Sequence, residues 1–409
     1  MTTDILLMMK DEIVMRINMD EGRYDIVNEN LLPWTTKGKW RKVIPYEEVK
    51  SKYDDTQRAI ARDKNRDCFI SFLASRVLPI TRENAKKIYN IFRLPQLQDE
   101  YSKARIAIVC RAVSLQDNYW IKNENDNTKW KDVDLRTNHL SDIVAQIALN
   151  GASLTLTGTP TTPELTGQGA YAKAWFREKD GLYLHKRGSG ESDAESRIEV
   201  LVSNILDNCN VDHLHYSIRE EYDTRTCVCK CMTTDDISIL PGMDFYTYCL
   251  VNGKDPLTET LKIDAESIYK MWIVDYLISN PDRHGMNWGF FYKSDTMEIL
   301  GCHPLYDHNN AFDKAVMLDD NPPYVFTDKY SMKRAAEVAM SEVDFHFYRD
   351  FTRDDFITDR QYESFMRRAK HLGIKSINLD IDTIYNRIPT LYKTDEHKEI
   401  QVERFLSRR

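Results

Sequence analysis

Long apolar runs are missing from this chain. Nowhere in its 409 residues does a stretch approach the roughly twenty apolar residues that a helix needs to cross a bilayer. Dense Lys/Arg tracts are missing too, and the formal net charge is -8, which argues against a chain built mainly to grip phosphate backbones or anionic membrane surfaces. The opening Met1-Thr-Thr-Asp4 lacks the basic-then-apolar order of an export signal, so a cytoplasmic location is expected. The eight cysteines, Cys68, Cys110, Cys209, Cys227, Cys229, Cys231, Cys249 and Cys302, follow no disulfide spacing and read as free thiols in a reducing compartment. Cys227, Cys229 and Cys231 recur every second residue, which puts all three on one strand face. With only His213-x-His215 nearby as further ligands, small core-facing side chains are the reading rather than a metal site. Internal repeats and low-complexity tracts are absent.

What is present suits an ordinary globular core: 42% hydrophobic residues against 29% charged. Ile5–Met9 and Ile13–Ile17 read as strands across a polar turn. Residues 46–66 are charged enough for an exposed helix or connection, followed by a helical patch at Cys68–Ala74 and a helix after Thr81. Residues 116–138, rich in Asn, Asp and Lys, read as a loop. Nothing in this first third is assigned to chemistry.

The character changes near Gly151. A Gly/Thr/Pro-rich segment containing Gly167 and Gly169 leads into a predicted hairpin, Ala174–Arg177 and Leu182–Lys186 across an Asp180-Gly181 turn. A helix follows, with Ser192 and Glu195 as a capping box and Ile198, Leu201, Val202, Ile205 and Leu206 on one face. Lys186 shares a strand face with Leu184 and could pair with either Glu195 or Glu199. The capping role of Glu195 favours Glu199. Lys173 could touch phosphate, with a surface role the preferred reading, and Thr161, Thr162 and Thr166 could be autophosphorylation sites, with solvated loop threonines the preferred reading. Further on, Asp264 is expected to cap a helix running to Ile278 ahead of Pro281. Trp288–Tyr292 and Thr296–Leu300 form a predicted hairpin, and helices are expected at 331–340, 360–372 and 395–408.

Chemistry concentrates in Asn280-Pro-Asp-Arg-His-Gly-Met-Asn287 and in Pro304-Leu-Tyr-Asp307. A carboxylate in a loop after a helix, an amide five residues on, and a second carboxylate beyond a hairpin match the needs of magnesium-dependent phosphoryl transfer. Asp282 would orient the attacking hydroxyl, while Asn287 and Asp307 would hold metal on ATP. Lys186 would meet the nucleotide phosphates, Leu184 would cover the adenine, and Gly167 and Gly169 would form a lid. His284 and His303 carry no metal spacing and read as structural.

These segments resemble the catalytic and metal motifs of HipA-like serine/threonine protein kinases. The resemblance runs from about 150 to 340 and includes Leu165–Lys173, Tyr183–Lys186, Glu199–Ser203, Asn280–Gly289 and Pro304–Phe312. It implies an α+β, divergent two-lobed protein-kinase-like fold, with a small β-rich lobe at 151–235 and a mostly helical lobe at 236–409. Residues 1–150 would be an N-terminal α/β extension. It implies Asp282 as catalytic aspartate, Asn287 and Asp307 as metal ligands, ATP and Mg2+ as cofactors, a protein substrate, and a small DNA-binding antitoxin in the toxin-type members. Direct nucleic-acid binding is not expected. The Asp-Arg-His-x-x-Asn string is also similar to the catalytic loop of phosphatidylinositol kinases, so a lipid or small-molecule kinase stays open. So does an ATP-binding pseudokinase scaffold that recruits a partner through residues 1–150.

Overall fold

The computed structural model describes residues 4–19, 21–44, 46–154, 160–167, 169–189 and 193–387. The expected helix at 395–408, Ser192 of the expected capping box and Gln168 of the glycine segment lie outside the described residues.

The alternating start of the chain forms β1 (Ile5–Met9), β2 (Glu12–Asn18) and β3 (Arg23–Ile26). The helix expected in two pieces is one 23-residue α1 (Lys52–Ala74), capped by Ser51, whose hydroxyl accepts from the Asp54 N–H at 3.1 Å. Next come α2 (Ala85–Ile91), which starts at Asn84 rather than Thr81, and α3 (Glu100–Val109). The presumed loop at 116–138 contains β4 (Tyr119–Asn123), which completes a β3-β2-β1-β4 sheet by pairing antiparallel with β1. The polar surroundings hid this strand, but Tyr119, Trp120 and Ile121 are all buried. The helix α4 (Asp142–Asn150) ends on Gly151 at φ +71 and packs against the next strand.

That strand, β5 (Lys173–Glu178), pairs with β6 (Gly181–Arg187). The turn residues are Lys179 and Asp180, and Gly181 begins β6 at φ +149, one position earlier than the sequence suggested. After α5 (Ala194–Leu206), β7 (Ser217–Glu221) and β8 (Thr224–Lys230) complete a β5-β6-β8-β7 sheet. Cys227 and Cys229 share a buried face there, packed with Leu214 and Tyr216. Cys231 falls past the strand end and packs with a different cluster beside Leu182, so the expected row of three is a row of two. All eight cysteines are free.

The remainder is mostly helical around one small sheet. β9 (Ile237–Pro241) leads into α6 (Gly242–Val251) and then α7 (Pro256–Leu277). Asp264 interrupts α7 at φ -156 and caps its second half, accepting from the Ser267 N–H at 3.1 Å; the first half was not anticipated. β10 (Gly289–Lys293) pairs with β9 and with β11 (Ile299–Cys302). Then follow α8 (Lys314–Leu318), α9 (Met332–Glu342), α10 (Asp359–Leu372) and α11 (Ile381–Arg387). α9 and α10 pack on α7. The buried Arg368 of α10 donates to the Tyr276 carbonyl at 2.8 Å, satisfying a C-terminal acceptor of α7 just before the 280–287 loop. The architecture is thus mixed α+β. Its N-terminal sheet is joined to the rest by polar contacts, with Asn118 Nδ2 donating to Ser294 Oγ at 3.0 Å and the Ile239 N–H to the Gln116 carbonyl at 2.8 Å. None of the described helices is long and apolar enough to cross a membrane.

Candidate active site

The Lys179–Asp180 turn sets the hairpin register, and that register places Lys173 opposite Lys186. Strand alternation then turns Lys186 to the sheet face shared by Leu184, Cys227 and Cys229, above the Tyr216 ring at 5.6 Å. Across this face runs α5, whose Glu199 is fully buried. Lys186 Nζ lies 3.2 Å from Glu199 Oε2 and 2.7 Å from Asp307 Oδ1. Glu199 Oε1 accepts from the His308 N–H at 2.9 Å, so one carboxylate joins the strand lysine to the backbone after Asp307. Glu195 is occupied elsewhere: its Oε2 accepts from the Ser189 N–H at 2.8 Å. The choice between the two glutamates falls to Glu199.

Electrostatics follow from this packing. Burial works against a charged Lys186, but the Asp307 and Glu199 carboxylates outweigh it and hold its pKa well above the ordinary lysine value. Burial likewise opposes ionisation of Asp307, and Lys186 with Lys173 overcomes it, keeping that carboxyl below its usual range. Lys173 is the opposite case. Half-buried and beside the cations Arg82 and Lys186, it is pushed down to about 7, chiefly by desolvation. Its assignment to the surface is therefore corrected: it faces Asp307 and Lys186.

Asp282 lies past the end of α7, where Ser279 takes a left-handed φ of +53. The Asn280 side chain accepts from the Asp282 N–H at 3.1 Å, and Asp282 Oδ2 accepts from Asn310 Nδ2 at 2.9 Å. Asn287 turns back as its position requires, its Nδ2 donating to the Asp282 carbonyl at 2.8 Å. With the amide nitrogen so engaged, the side-chain oxygen is the Asn287 atom that could ligate a cation. Asp307 is also left-handed, at φ +60, a conformation that Asp tolerates better than bulkier residues. A cleft of about 460 Å³ opens at Asp282, lined by Glu195, Ile198, Asn309, Asn310 and Asp313.

One residue ties both loops together. Arg283 is fully buried, its NH2 2.9 Å from Asp275 Oδ1 of α7, while its NH1 donates to the Asn287 carbonyl at 2.7 Å and the Tyr306 carbonyl at 3.1 Å. Asp275 also accepts from Asn280 Nδ2 at 2.9 Å and Tyr324 Oη at 2.7 Å. Burying this carboxylate is tolerable only because it is paired and hydrogen-bonded throughout.

Gly167 and Gly169 are held from the N-terminal third, which the sequence had left without chemistry. Arg82 donates to both of their carbonyls, at 2.9 Å to Gly169. Gly169 sits at φ +98, and a Cβ there would approach Lys173 Nζ to 2.7 Å, so the glycine lies directly over that lysine. Two of the three loop threonines are not solvated: Thr162 and Thr166 are buried, the first donating to Glu164 and the second to the Pro163 carbonyl at 3.2 Å, while Thr161 is half-buried. His303 is buried, with its Nδ1 2.9 Å from the Pro304 carbonyl; His284 is half exposed, its Nε2 3.8 Å from Asp282 Oδ1.

Lys173 could have been found from the hairpin register and the Arg283 loop tie from no sequence signal, since Asp275, Tyr324 and Tyr306 are brought to it only by packing.

No family model and no curated protein matches the chain. Among solved structures, the chain is similar to HipA of a toxin–antitoxin system from Shewanella oneidensis MR-1, solved with HipB and its operator DNA. The TM-score is 0.46 and the identity 10%, over 93% of this chain and 99% of that one. It is also similar to the proinflammatory kinase CtkA of Helicobacter pylori, with a TM-score of 0.35 and 15% identity over 58% of this chain and 87% of that one.

Proposed function

We propose that the chain is an ATP- and magnesium-dependent kinase of the HipA-like serine/threonine type, transferring the γ-phosphoryl group to a hydroxyl of a protein. The observation that carries this reading is the meeting of Lys186, Glu199 and Asp307 within 3.2 Å, joined through Arg283 to the loop of Asp282 and Asn287. In this reading residues 1–150 are an extension, 151–235 the small lobe and 236–409 the large lobe, with the nucleotide between the lobes.

The residues fit magnesium. Asn287 and Asp307 offer oxygen donors, the amide oxygen left by the bond from Asn287 Nδ2 to the Asp282 carbonyl and the carboxylate kept ionised by Lys186. When bound, the ion neutralises charge on the phosphates. Lys186 and Lys173 contact the phosphates from the strand side, with Gly167 and Gly169 closing over them. Asp282 faces the cleft, where its Oδ1 orients a substrate hydroxyl and receives its proton while Oδ2 stays anchored by Asn310. The hydroxyl oxygen bonds to the γ-phosphorus and ADP departs. A small DNA-binding partner protein belongs to the same proposal.

The test is transfer of γ-labelled phosphate in a cell lysate by wild type and by Asp282→Ala. Label on protein that depends on Asp282 supports the reading. Label in lipids or small metabolites turns it toward the phosphatidylinositol-kinase type, and ATP binding without turnover turns it toward a scaffold. Equal transfer by Asp282→Ala removes the aspartate from the chemistry.

A further inference from the structure

The segment between α5 and β7 carries His213 and His215 on either side of Leu214, and its backbone is extended. The Leu214 N–H donates to the Leu305 carbonyl at 2.9 Å, and the Leu305 N–H donates to the Asp212 carbonyl at 3.0 Å. Extended backbone alternates its side chains, so the two histidines point to one side while Leu214 packs with Tyr216, Cys227 and Cys229 on the other. On the histidine side stands Asp207, the residue that ends α5. All three are buried. Asp207 Oδ1 lies 3.2 Å from His213 Nε2 and 2.7 Å from His215 Nδ1, and the three ligand atoms fall within 4.8 Å of one another.

We propose that Asp207, His213 and His215 form a binding site for a divalent transition-metal ion of the zinc class. It is separate from the site of Asp282, Asn287 and Asp307, and the proposal stands whether or not the chain is a kinase.

Three observations support it. First, two imidazoles and one carboxylate are a donor set suited to zinc, cobalt or nickel and poorly suited to magnesium or calcium, which take oxygen ligands. Second, His213 Nδ1 lies 3.2 Å from the Val211 carbonyl while Nε2 faces Asp207. A neutral imidazole has one ring proton and cannot satisfy two oxygen acceptors. With Nδ1–H directed to the carbonyl, the Nε2 lone pair faces a carboxylate, an arrangement that calls for a positive charge between them. Orientation of a ligating histidine by a backbone carbonyl is the usual support around such sites. Third, a cavity of about 280 Å³, lined also by Lys270, Tyr348 and Arg387, adjoins the three residues. It is large enough to admit an ion and the water that would complete a tetrahedral shell.

The ion would bind the nitrogen lone pairs and the carboxylate, and any protons now held between those nitrogens and Asp207 Oδ1 would go to solvent. Its place in the fold defines its role. Asp207 closes the helix that carries Glu199, and His213 is bridged to Leu305, two residues before Asp307. A bound ion would pin these two elements to each other from behind, as a positioning device rather than a reacting group.

The experiment uses untagged full-length protein. Crystals soaked in zinc chloride and measured above and below the zinc absorption edge should give an anomalous peak bonded to Asp207, His213 and His215. Cobalt(II) added to the metal-stripped protein should give visible d–d absorption at one equivalent, unchanged in Asp307→Asn and lost in His213→Ala. No peak at these residues, or cobalt absorption that persists in a folded His213→Ala, overturns the proposal. Should His213→Ala not fold, the anomalous map of wild type decides the question alone.

Discussion

Replacing Arg283 by Met should destabilise the protein severely, because Arg283 is fully buried. The change leaves Asp275, which is fully buried, without its cation. Breaking a buried ion pair by removing one partner costs about 3–5 kcal/mol. The Asn287 and Tyr306 carbonyls each lose a donor, adding about 1 kcal/mol apiece. The Asn280 and Tyr324 donors remain on Asp275 and offset part of this, so a net loss of about 4–6 kcal/mol is expected. Against a total stability of about 5–15 kcal/mol, that brings the fold close to its limit. Urea unfolding followed by tryptophan fluorescence is a suitable assay, because Trp272 and Trp288 lie in the same core. A second variant isolates the cause. Arg283→Met combined with Asp275→Leu removes the orphaned charge, and the double variant should be more stable than Arg283→Met alone. A single variant within about 1 kcal/mol of wild type would refute the reasoning. So would a double variant no more stable than the single one.

Four further outcomes are expected. Lys173 should make nucleotide binding proton-linked: lowered to about 7, it is mostly neutral at pH 8, and arriving phosphates would raise its pKa, so calorimetry at pH 8 in buffers of different ionisation enthalpy should show proton uptake that vanishes in Lys173→Met. The same depressed value penalises folding at low pH. Between about pH 7 and the ordinary lysine value the unfolded chain holds the extra proton, so stability rises with pH there, and Lys173→Met should flatten that rise in thermal melts. Asp307→Ala should abolish magnesium-dependent ATP binding, and unchanged affinity by calorimetry would remove it as a metal ligand. Gly289→Ala places a Cβ 2.2 Å from the Leu240 carbonyl; forcing β9 from β10 should cost about 1–3 kcal/mol and lower turnover by moving Asn287, with wild-type melting and activity as the refuting result.

The candidate site was legible in the chain wherever its logic is local. The spacing of Asp282 and Asn287 sets what one loop can do with its own backbone, and the bond from Asn287 Nδ2 to the Asp282 carbonyl is such a short-range event. The β5–β6 hairpin announced itself by alternation and turn residues, and α5 by its apolar period. β4 escaped because three buried residues sit within a polar stretch, and what makes them a strand is pairing with β1, over a hundred residues away.

By itself, then, the sequence determined the chemistry on offer: an aspartate, an amide and a second aspartate in kinase-like order, a lysine on a strand, and glutamates on the helix behind it. Packing decided which of these meet. It selected Glu199 over Glu195 by burying it against Lys186, and it brought Lys173 in from the supposed surface to lie beneath Gly169. It closed Arg283 onto Asp275 and two carbonyls, and it turned His213-x-His215, considered in the sequence only as company for the cysteines, toward Asp207. The physical reason is the same in each case. Periodicity and turn chemistry act over a few residues and are written in them, whereas the worth of a charge or a ring nitrogen depends on the partners present once water has been excluded, and those partners are fixed by tertiary packing.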